Sequence, residues 1–490
     1  MRIVTEQHPI NEYDGSSMAG PTRAHSILHE RDGKVAPLPT NKRQMPQLPG
    51  EICEQDWAEK PLLGFSTWST QLLHDIPGYG GSNVQPWFNE RNIREISDVM
   101  KVRMPQYKYI NLDSGWCTTY DEYGRWTYRP DLFPSGLKSL SDYLAKNGHL
   151  LGLYILPGIR QDAADANMPI KGTTHKLGEF VSKKNEGCGF KGTTYLPDEH
   201  NQWIQTYYNS IGELFGEWGI RYVKVDGCGP GGGSPFFPNQ APDNRASLKM
   251  MSLAFQKHQI WMELSWYLDH KFADEWAHMS NGARVYVDIE SYSRTTMTSS
   301  YRVFERITQT APWVDTHVIG KQYGFYVDLD SVLVGMTIDG QCIDGLDNDD
   351  VRQSYISFWA LVSSVFCIGS DPRHIPDKYL NMLNHPNILA IHQSGIMARP
   401  IGDGNAWNNR KQVWYKNLPD GRVCCGLFNA HVYSFMLGMS QEVTLDLGSI
   451  GLNTAEIVDV WTGAVIGTYT ESYSVYLRPG QCQMLYLVPK

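Results

Sequence analysis

No stretch of this 490-residue sequence approaches the ~18 to 20 consecutive apolar residues that a membrane-spanning helix needs. Residues 1–13 carry charges where a secretory leader would have its apolar core, and no Asn-x-Ser/Thr acceptor occurs anywhere. These absences lead to the expectation of a soluble chain with no membrane partner and a cytoplasmic location. The nine cysteines include no Cys-x-x-Cys pair and no Cys/His grouping at zinc spacing, which argues against a metal finger and a dense disulfide framework. Positive charge is also in deficit: 43 Lys and Arg against 52 Asp and Glu give a net charge of -9. The basic footprint required for phosphate-backbone binding is therefore missing, and nucleic acid is not an expected partner. Repeats and low-complexity tracts are absent too. What is plentiful is flat, amphipathic surface, with 15 Trp and 27 Tyr. Such rings stack on sugars as readily as they fill cores, so composition alone leaves both uses open.

The first 60 residues are polar and punctuated by Pro37, Pro39, Pro46 and Pro49, which reads as an extended N-terminal arm. From Pro61 the pattern changes. Short apolar, β-branched or aromatic runs at 62–68, 107–112, 150–156, 220–225, 260–266, 283–289, 323–329 and 364–368 alternate with helix-like stretches. One of these, 201–218, places Trp203, Ile204, Tyr207, Tyr208, Ile211, Leu214 and Phe215 at spacings of three and four. Eight strand–helix alternations predict an α/β fold, a (β/α)8 TIM barrel over residues 61–392. After 393 the period shortens to strands at 412–415, 423–429, 442–447, 455–459, 474–477 and 483–487, with Asp420-Gly421 and Pro479-Gly480 as turns. A C-terminal antiparallel β-sandwich over 393–490 follows.

In such a barrel the working residues stand at the C-terminal ends of the strands, and here those ends are polar. Strand two runs into Asp113-Ser114-Gly115-Trp116, and strand four carries Lys224 and ends in Asp226. Strand six carries Arg284 and ends in Asp288, and strand seven ends in Asp328-Leu329-Asp330. One carboxylate after a strand usually starts a turn or caps a helix. Several at one barrel mouth repel each other and need cations, a metal or a ligand, and Lys224 and Arg284 are suitable cations. Two aspartates facing across a cleft suit glycoside hydrolysis. The rival is a divalent-metal site for enolate chemistry, which two cations beside the acids disfavour. The expectation is no metal and no cofactor. The glycine-rich run 227–233 lacks a phosphate-loop ending and is expected to shape the rim beside Asp226. The acidic stretch 344–350 lacks calcium-loop spacing and reads as a solvated helix start.

Five segments carry a resemblance: Leu63-Gly64-Phe65-Ser66-Thr67-Trp68, Tyr109-Ile110-Asn111-Leu112-Asp113-Ser114-Gly115-Trp116, Tyr222-Val223-Lys224-Val225-Asp226-Gly227-Cys228, Arg284-Val285-Tyr286-Val287-Asp288-Ile289 and Ser370-Asp371-Pro372-Arg373-His374-Ile375. In this order they resemble the motifs of the melibiase family, glycoside hydrolase family 27, which holds α-galactosidases and α-N-acetylgalactosaminidases. The resemblance implies a retaining double displacement on a carbohydrate substrate without cofactor, with Asp226 as nucleophile and Asp288 as acid/base. It further implies sugar contacts from Lys224, Arg284, Trp68, Asp113 and Ser114, and from Ser265, Trp266 and Asp328 in the strand-five and strand-seven segments. Cys188 and Cys228 resemble a disulfide pair of the family. Departures fall on sugar recognition: Ser114 replaces a second aspartate, Leu156 an acidic residue, Ser265 a glutamate of α-galactosidases, and Leu268 a small residue. The implied sugar is a terminal α-D-galactoside, with α-N-acetylgalactosaminides or β-L-arabinopyranosides as alternatives. A binding barrel without turnover and a transglycosylase are further alternatives.

Overall fold

The computed structural model describes residues 58–76, 86–181, 193–198, 201–231, 233–234, 237–238, 241–293, 296–432 and 439–490. The predicted arm lies almost wholly outside these residues, as does Cys188 with its suggested pairing to Cys228. The described residues fall in one compact unit.

Eight parallel strands make the first sheet: β1 (Leu63–Ser66), β2 (Tyr109–Leu112), β3 (Leu150–Ile155), β4 (Ile220–Val225), β5 (Trp261–Leu264), β6 (Gly282–Arg284), β7 (Tyr326–Asp328) and β8 (Phe366–Ile368). Their order in the sheet follows the chain, with β1 against β8, and single parallel bridges Asp328–Val365 and Val332–Ile368 join β7 to β8 and close the barrel. All eight predicted strands are present. The strands sit close because two glycines admit large neighbours: a Cβ on Gly64 would meet the Tyr109 carbonyl oxygen at 2.4 Å, and one on Gly152 the Tyr222 ring at 2.4 Å. Register then sets the height of the functional residues. Val225 pairs with Ile155 and Leu264, so Asp226, Leu156 and Ser265 leave the sheet at one level.

The predicted helix at 201–218 is α4 (Gln202–Trp218), following α1 (Trp68–His74), α2 (Glu90–Arg103) and α3 (Gly136–Lys146). The Asn201 side chain accepts from Trp203 N at its start, and Gly219 at φ 77° ends it in the left-handed conformation. Its buried face carries Ile204, Tyr207, Tyr208, Ile211, Leu214 and Phe215, the spacing read from the sequence. The ring continues with α5 (Arg245–Gln256), α6 (Ala273–Met279), α7 (Ser300–Val314) and α8 (Asp349–Leu361). The stretch expected to be a solvated helix start is more than that. Asn348, Asp349 and Asp350 do cap and begin α8, but Asp344 is 1% exposed. Its carboxylate accepts from Arg352 and from the backbone of Gly335 and Leu346, and this fully paired buried acid ties the strand-seven loop to α8.

After α9 (Asp377–Leu383) and α10 (Pro386–Gln393) the chain becomes all β. A six-stranded antiparallel sheet takes the order β9 (Arg399–Pro400), β10 (Lys411–Asn417), β11 (Val423–Asn429), β16 (Cys482–Pro489), β13 (Thr454–Asp459) and β14 (Val465–Thr470). It faces the pair β12 (Gln441–Asp446) and β15 (Ser472–Leu477) across a core that includes Val413, Leu427, Val443, Leu445, Ile457, Leu477 and Leu485. This sandwich docks on α8, where Phe358 meets Trp414 at 5.2 Å and Phe428 at 5.8 Å, both edge-on. Lys416 of β10 is buried there, its Nζ donating to the carbonyls of Ala360, Ile391 and Ile396 and to Ser363 Oγ at 2.8 to 3.2 Å.

Candidate active site

The C-terminal ends of β2 to β7 converge on a field of carboxyl groups in two environments. Asp226 and Asp288 are partly exposed, whereas Asp113, Glu263, Glu290, Asp328 and Asp330 are each 5% exposed or less. Burying so many acids calls for cations or protons, and the side chains show where each is found.

Lys224 alternates with Asp226 along β4, and its Nζ pairs with Asp113 Oδ2 at 3.2 Å. The nearest partner of this lysine is thus Asp113. Burial works against the ammonium, but the charges of Asp113, Asp226 and Glu263 together outweigh it and raise the Lys224 pKa. Asp226 accepts from Gly227 N at 2.9 Å and from the Tyr154 hydroxyl at 2.9 Å. Burial pushes the Asp226 pKa up, Lys224 opposes this, and the charge of Asp288 adds to the rise. Asp226 and Asp288 are therefore within electrostatic reach of one another.

Arg284 is the hub of the opposite side. Its Nε donates to Asp328 Oδ2 at 3.0 Å, and its Nη1 to Asp288 Oδ1 at 3.1 Å and Asp330 Oδ2 at 2.7 Å. The second oxygen of Asp288 accepts from Tyr292 OH at 2.5 Å, and the Trp68 indole N–H donates to that hydroxyl at 3.3 Å. Tyr292 has φ 57°, a left-handed backbone unusual for an aromatic residue, in the turn that brings its hydroxyl back onto Asp288. The main chain around Asp288 is pinned as well, since Arg302 donates to the Asp288 carbonyl at 2.9 Å and Arg306 to that of Val287 at 2.5 Å.

Two further acids were not singled out from the sequence. Glu263 on β5 accepts from the Tyr222 hydroxyl, and burial together with Asp328 holds its carboxyl far above the usual range. Glu290, two residues after Asp288, accepts from Ser69 Oγ at 2.6 Å. Burial, then Asp330 and Asp288, push its pKa up to about 8. Beside the expected cations Lys224 and Arg284, burial raises the pKa of Glu263, Glu290 and Asp330, which favours protons on some of these carboxyls. Tyr154, Tyr292 and Glu290 were legible only as polar residues recurring every second position near strand ends.

Of the residues expected at the sugar, Trp68, Ser114 and Trp266 are half-buried at the mouth, with Tyr154 beside them, and Ser265 is 2% exposed behind them. Asp113 is held by Lys224 and, through its backbone N–H, by Thr67 Oγ1 at 2.9 Å. Asp328 lies deeper than expected. It is 3% exposed, with Arg284 and the Asp330 N–H on its oxygens, so it supports Arg284 from below. Leu156 and Leu268 are buried beside the strand-three and strand-five ends. One oxygen each from Asp288, Glu290 and Asp330 lie within 4.8 Å of one another, close enough for a metal ion, but Arg284 Nη1 already bridges Asp288 and Asp330. The positive charge that a metal would bring there is supplied by the guanidinium.

Known proteins share this architecture. Residues 408–487 match the family described as the alpha galactosidase C-terminal beta sandwich domain. Alpha-galactosidase 3 of Hypocrea jecorina is 24% identical over 460 residues, covering 86% of this chain and 70% of that protein. An alpha-galactosidase of Cyamopsis tetragonoloba is 22% identical over 459 residues, covering 90% and 89%. Among solved structures, a family 27 β-L-arabinopyranosidase from Geobacillus stearothermophilus in complex with arabinose superposes with a TM-score of 0.75 at 21% identity, covering 90% of this chain and all of that one. A putative alpha-N-acetylgalactosaminidase from Bacillus halodurans gives 0.68 at 23% identity, covering 88% and 97%. The chain is a glycoside hydrolase built on a (β/α)8 barrel with a C-terminal β-sandwich. Its resemblance is to the melibiase family, glycoside hydrolase family 27, along most of its length. Among the described residues no helix is long and apolar enough to cross a membrane.

Proposed function

We propose that the chain is a retaining exo-glycosidase for terminal α-D-galactosides, with Asp226 as nucleophile and Asp288 as acid/base. The observation that carries this reading is the contrast among the carboxyls: these two alone, of the seven at the mouth, are partly exposed, and each is aimed by a tyrosine hydroxyl. In the first step Asp226 attacks the anomeric carbon while Asp288 gives its proton to the departing oxygen, leaving a glycosyl ester on Asp226. Forming the ester removes the negative charge of Asp226. That lowers the proton affinity of Asp288, which then takes a proton from water as the water attacks the same carbon and releases Asp226. Lys224, Asp113 and Arg284 are fixed hydrogen-bonding groups for sugar hydroxyls, and Trp68 offers its face to the ring.

Ser114 and Ser265 favour a second reading in which the mechanism stands and the sugar changes. A neutral hydroxyl at 114 gives weaker contacts to the O4 and O6 region than a carboxylate, which suits a β-L-arabinopyranoside. Serine at 265 leaves room for the 2-acetamido group of an α-N-acetylgalactosaminide, and Leu268 narrows that room. The test is a panel of nitrophenyl α-galactoside, β-L-arabinopyranoside, α-N-acetylgalactosaminide and α-glucoside, with the product anomer followed by NMR. Cleavage of the α-galactoside with retention is expected, unaffected by EDTA. Cleavage of the glucoside alone would overturn the galacto-configured reading, and inversion would overturn the double displacement.

A further inference from the structure

Glu290 is not used by this mechanism, yet it stands among the groups that are. It is 1% exposed, and Ser69 Oγ holds one oxygen at 2.6 Å. One of its carboxyl oxygens lies within 4.8 Å of oxygens of both Asp288 and Asp330. The donors around these three acids are shared unequally. Asp330 accepts from Arg284 Nη1 at 2.7 Å, Ile289 N at 2.6 Å and Ser331 N at 2.7 Å, and Asp288 accepts from Arg284 and Tyr292. Glu290 has a neutral serine hydroxyl. Three like charges at this spacing, two of them buried, cannot all persist, and the proton goes to the acid with the fewest donors to its charged form. The other titratable groups facing Glu290 among the described residues are Arg284 and the hydroxyls of Tyr292 and Tyr355; only Arg284 stabilises its anion.

We propose that Glu290 is a positioning residue for the proton of Asp288, a buried carboxyl that is neutral in the working enzyme and coupled in its titration to the acid/base. While Glu290 is neutral, the proton affinity of Asp288 follows the charge on Asp226, as a group that serves as acid and then as base requires. Once Glu290 ionises, its charge holds the proton on Asp288; the value of about 8 to which burial, Asp330 and Asp288 push Glu290 includes the charge of Asp288 itself, so with Asp288 protonated Glu290 ionises below it. This extends the acid form of Asp288 toward alkaline pH. The proposal rests on the assignment of Asp288 as acid/base.

The test reads the titration and the rate separately. In Glu290→Gln, which keeps the shape and neutrality of the carboxylic acid, kcat at the optimum should fall by about threefold or less. The alkaline limb of kcat/KM should move down by about 0.5 to 1 pH unit, with the acid limb unmoved. Glu290→Asp should restore part of the limb, which a purely structural role would not do. In the unsubstituted protein, carboxyl 13C resonances of Glu290 and Asp288 should each titrate in two steps that mirror one another, a measurement that needs neither turnover nor a folded variant. A single ordinary titration of Glu290, or an unmoved limb in a folded Glu290→Gln protein, would overturn the proposal. Retained activity in Asp288→Asn would instead overturn the acid/base assignment and leave the measured coupling intact.

Discussion

The barrel mouth and the C-terminal sandwich solve opposite problems with the same chain. The sandwich core is built on apolar side chains, with Val413, Leu427, Val443, Leu445, Ile457 and Leu485 meeting across two sheets. Burial of that area supplies its stability at roughly 25 cal/mol per Å2. The mouth buries five carboxyls around two cations, an arrangement that costs stability unless each charge is paired or neutralised. On the proposed mechanism, free energy is stored in the mouth as desolvated charge because a nucleophile and an acid need it. The sandwich carries one buried lysine among its described residues, Lys416, whose pKa burial pushes down to about 7, and uses it at the junction with the barrel. Its carbonyl partners Ala360 and Ile391 lie in the last turns of α8 and α10, where the negative ends of the helix dipoles favour a cation.

Substitutions on the two sides should separate cleanly. The largest effect is expected from Asp226→Asn, a loss of at least about a thousandfold in kcat for nitrophenyl glycosides. The same change should raise the melting temperature at pH 7. Burial lifts the Asp226 pKa above that of an ordinary aspartate, so the native state binds this proton more readily than the unfolded chain does, and its ionised form costs native stability at neutral pH. That cost vanishes at acid pH, where both states are protonated, and the gain from asparagine should vanish with it. An unchanged or lower melting temperature at pH 7 would break the contrast between a costly mouth and a stabilising core.

Next comes Arg284→Met, which strips the guanidinium from three acids at once. Destabilisation of about 3–5 kcal/mol in urea unfolding is expected, lessened at low pH, where the acids left behind can take up protons. In the sandwich, Leu427→Ala should cost about 2–5 kcal/mol while the folded fraction keeps wild-type kcat and KM; a changed kcat would mean that the two modules are coupled through the core. The smallest effect is expected from Lys416→Met, about 1–3 kcal/mol from carbonyls left without their donor, again with kinetics of the folded enzyme unchanged.

The sequence was most transparent where one face of an element is apolar. The eight barrel strands stand out as apolar runs, and Asp113, Asp226 and Ser265 are visible because each is the first residue beyond a strand end. Two strands of the sandwich escaped. β9 is two residues long, and β14 has Gly467 in its middle and Val465 64% exposed, so no alternation marks it. In the site, Lys224 and Arg284 were recognisable as cations on strands, but their partners were not, since pairing is decided across the barrel. Lys224 reaches Asp113, 111 positions away. Glu290 escaped for the same reason: its hydrogen-bond partner Ser69 is 221 positions distant, and within its own segment it reads as an ordinary polar loop residue. The depth of Asp328 follows from Arg284, its paired residue on the neighbouring strand, which covers it.

The assignment of Asp226 as nucleophile can be read directly. Incubating the enzyme with a 2-deoxy-2-fluoro or related slow α-galactosyl donor, followed by proteolysis and peptide mass spectrometry, should recover one glycosylated peptide with the sugar on Asp226, and prior saturation with galactose should slow its formation. A label on Asp288, Glu290 or any other carboxyl, or turnover of the donor to the inverted anomer with no labelled peptide, would contradict the account.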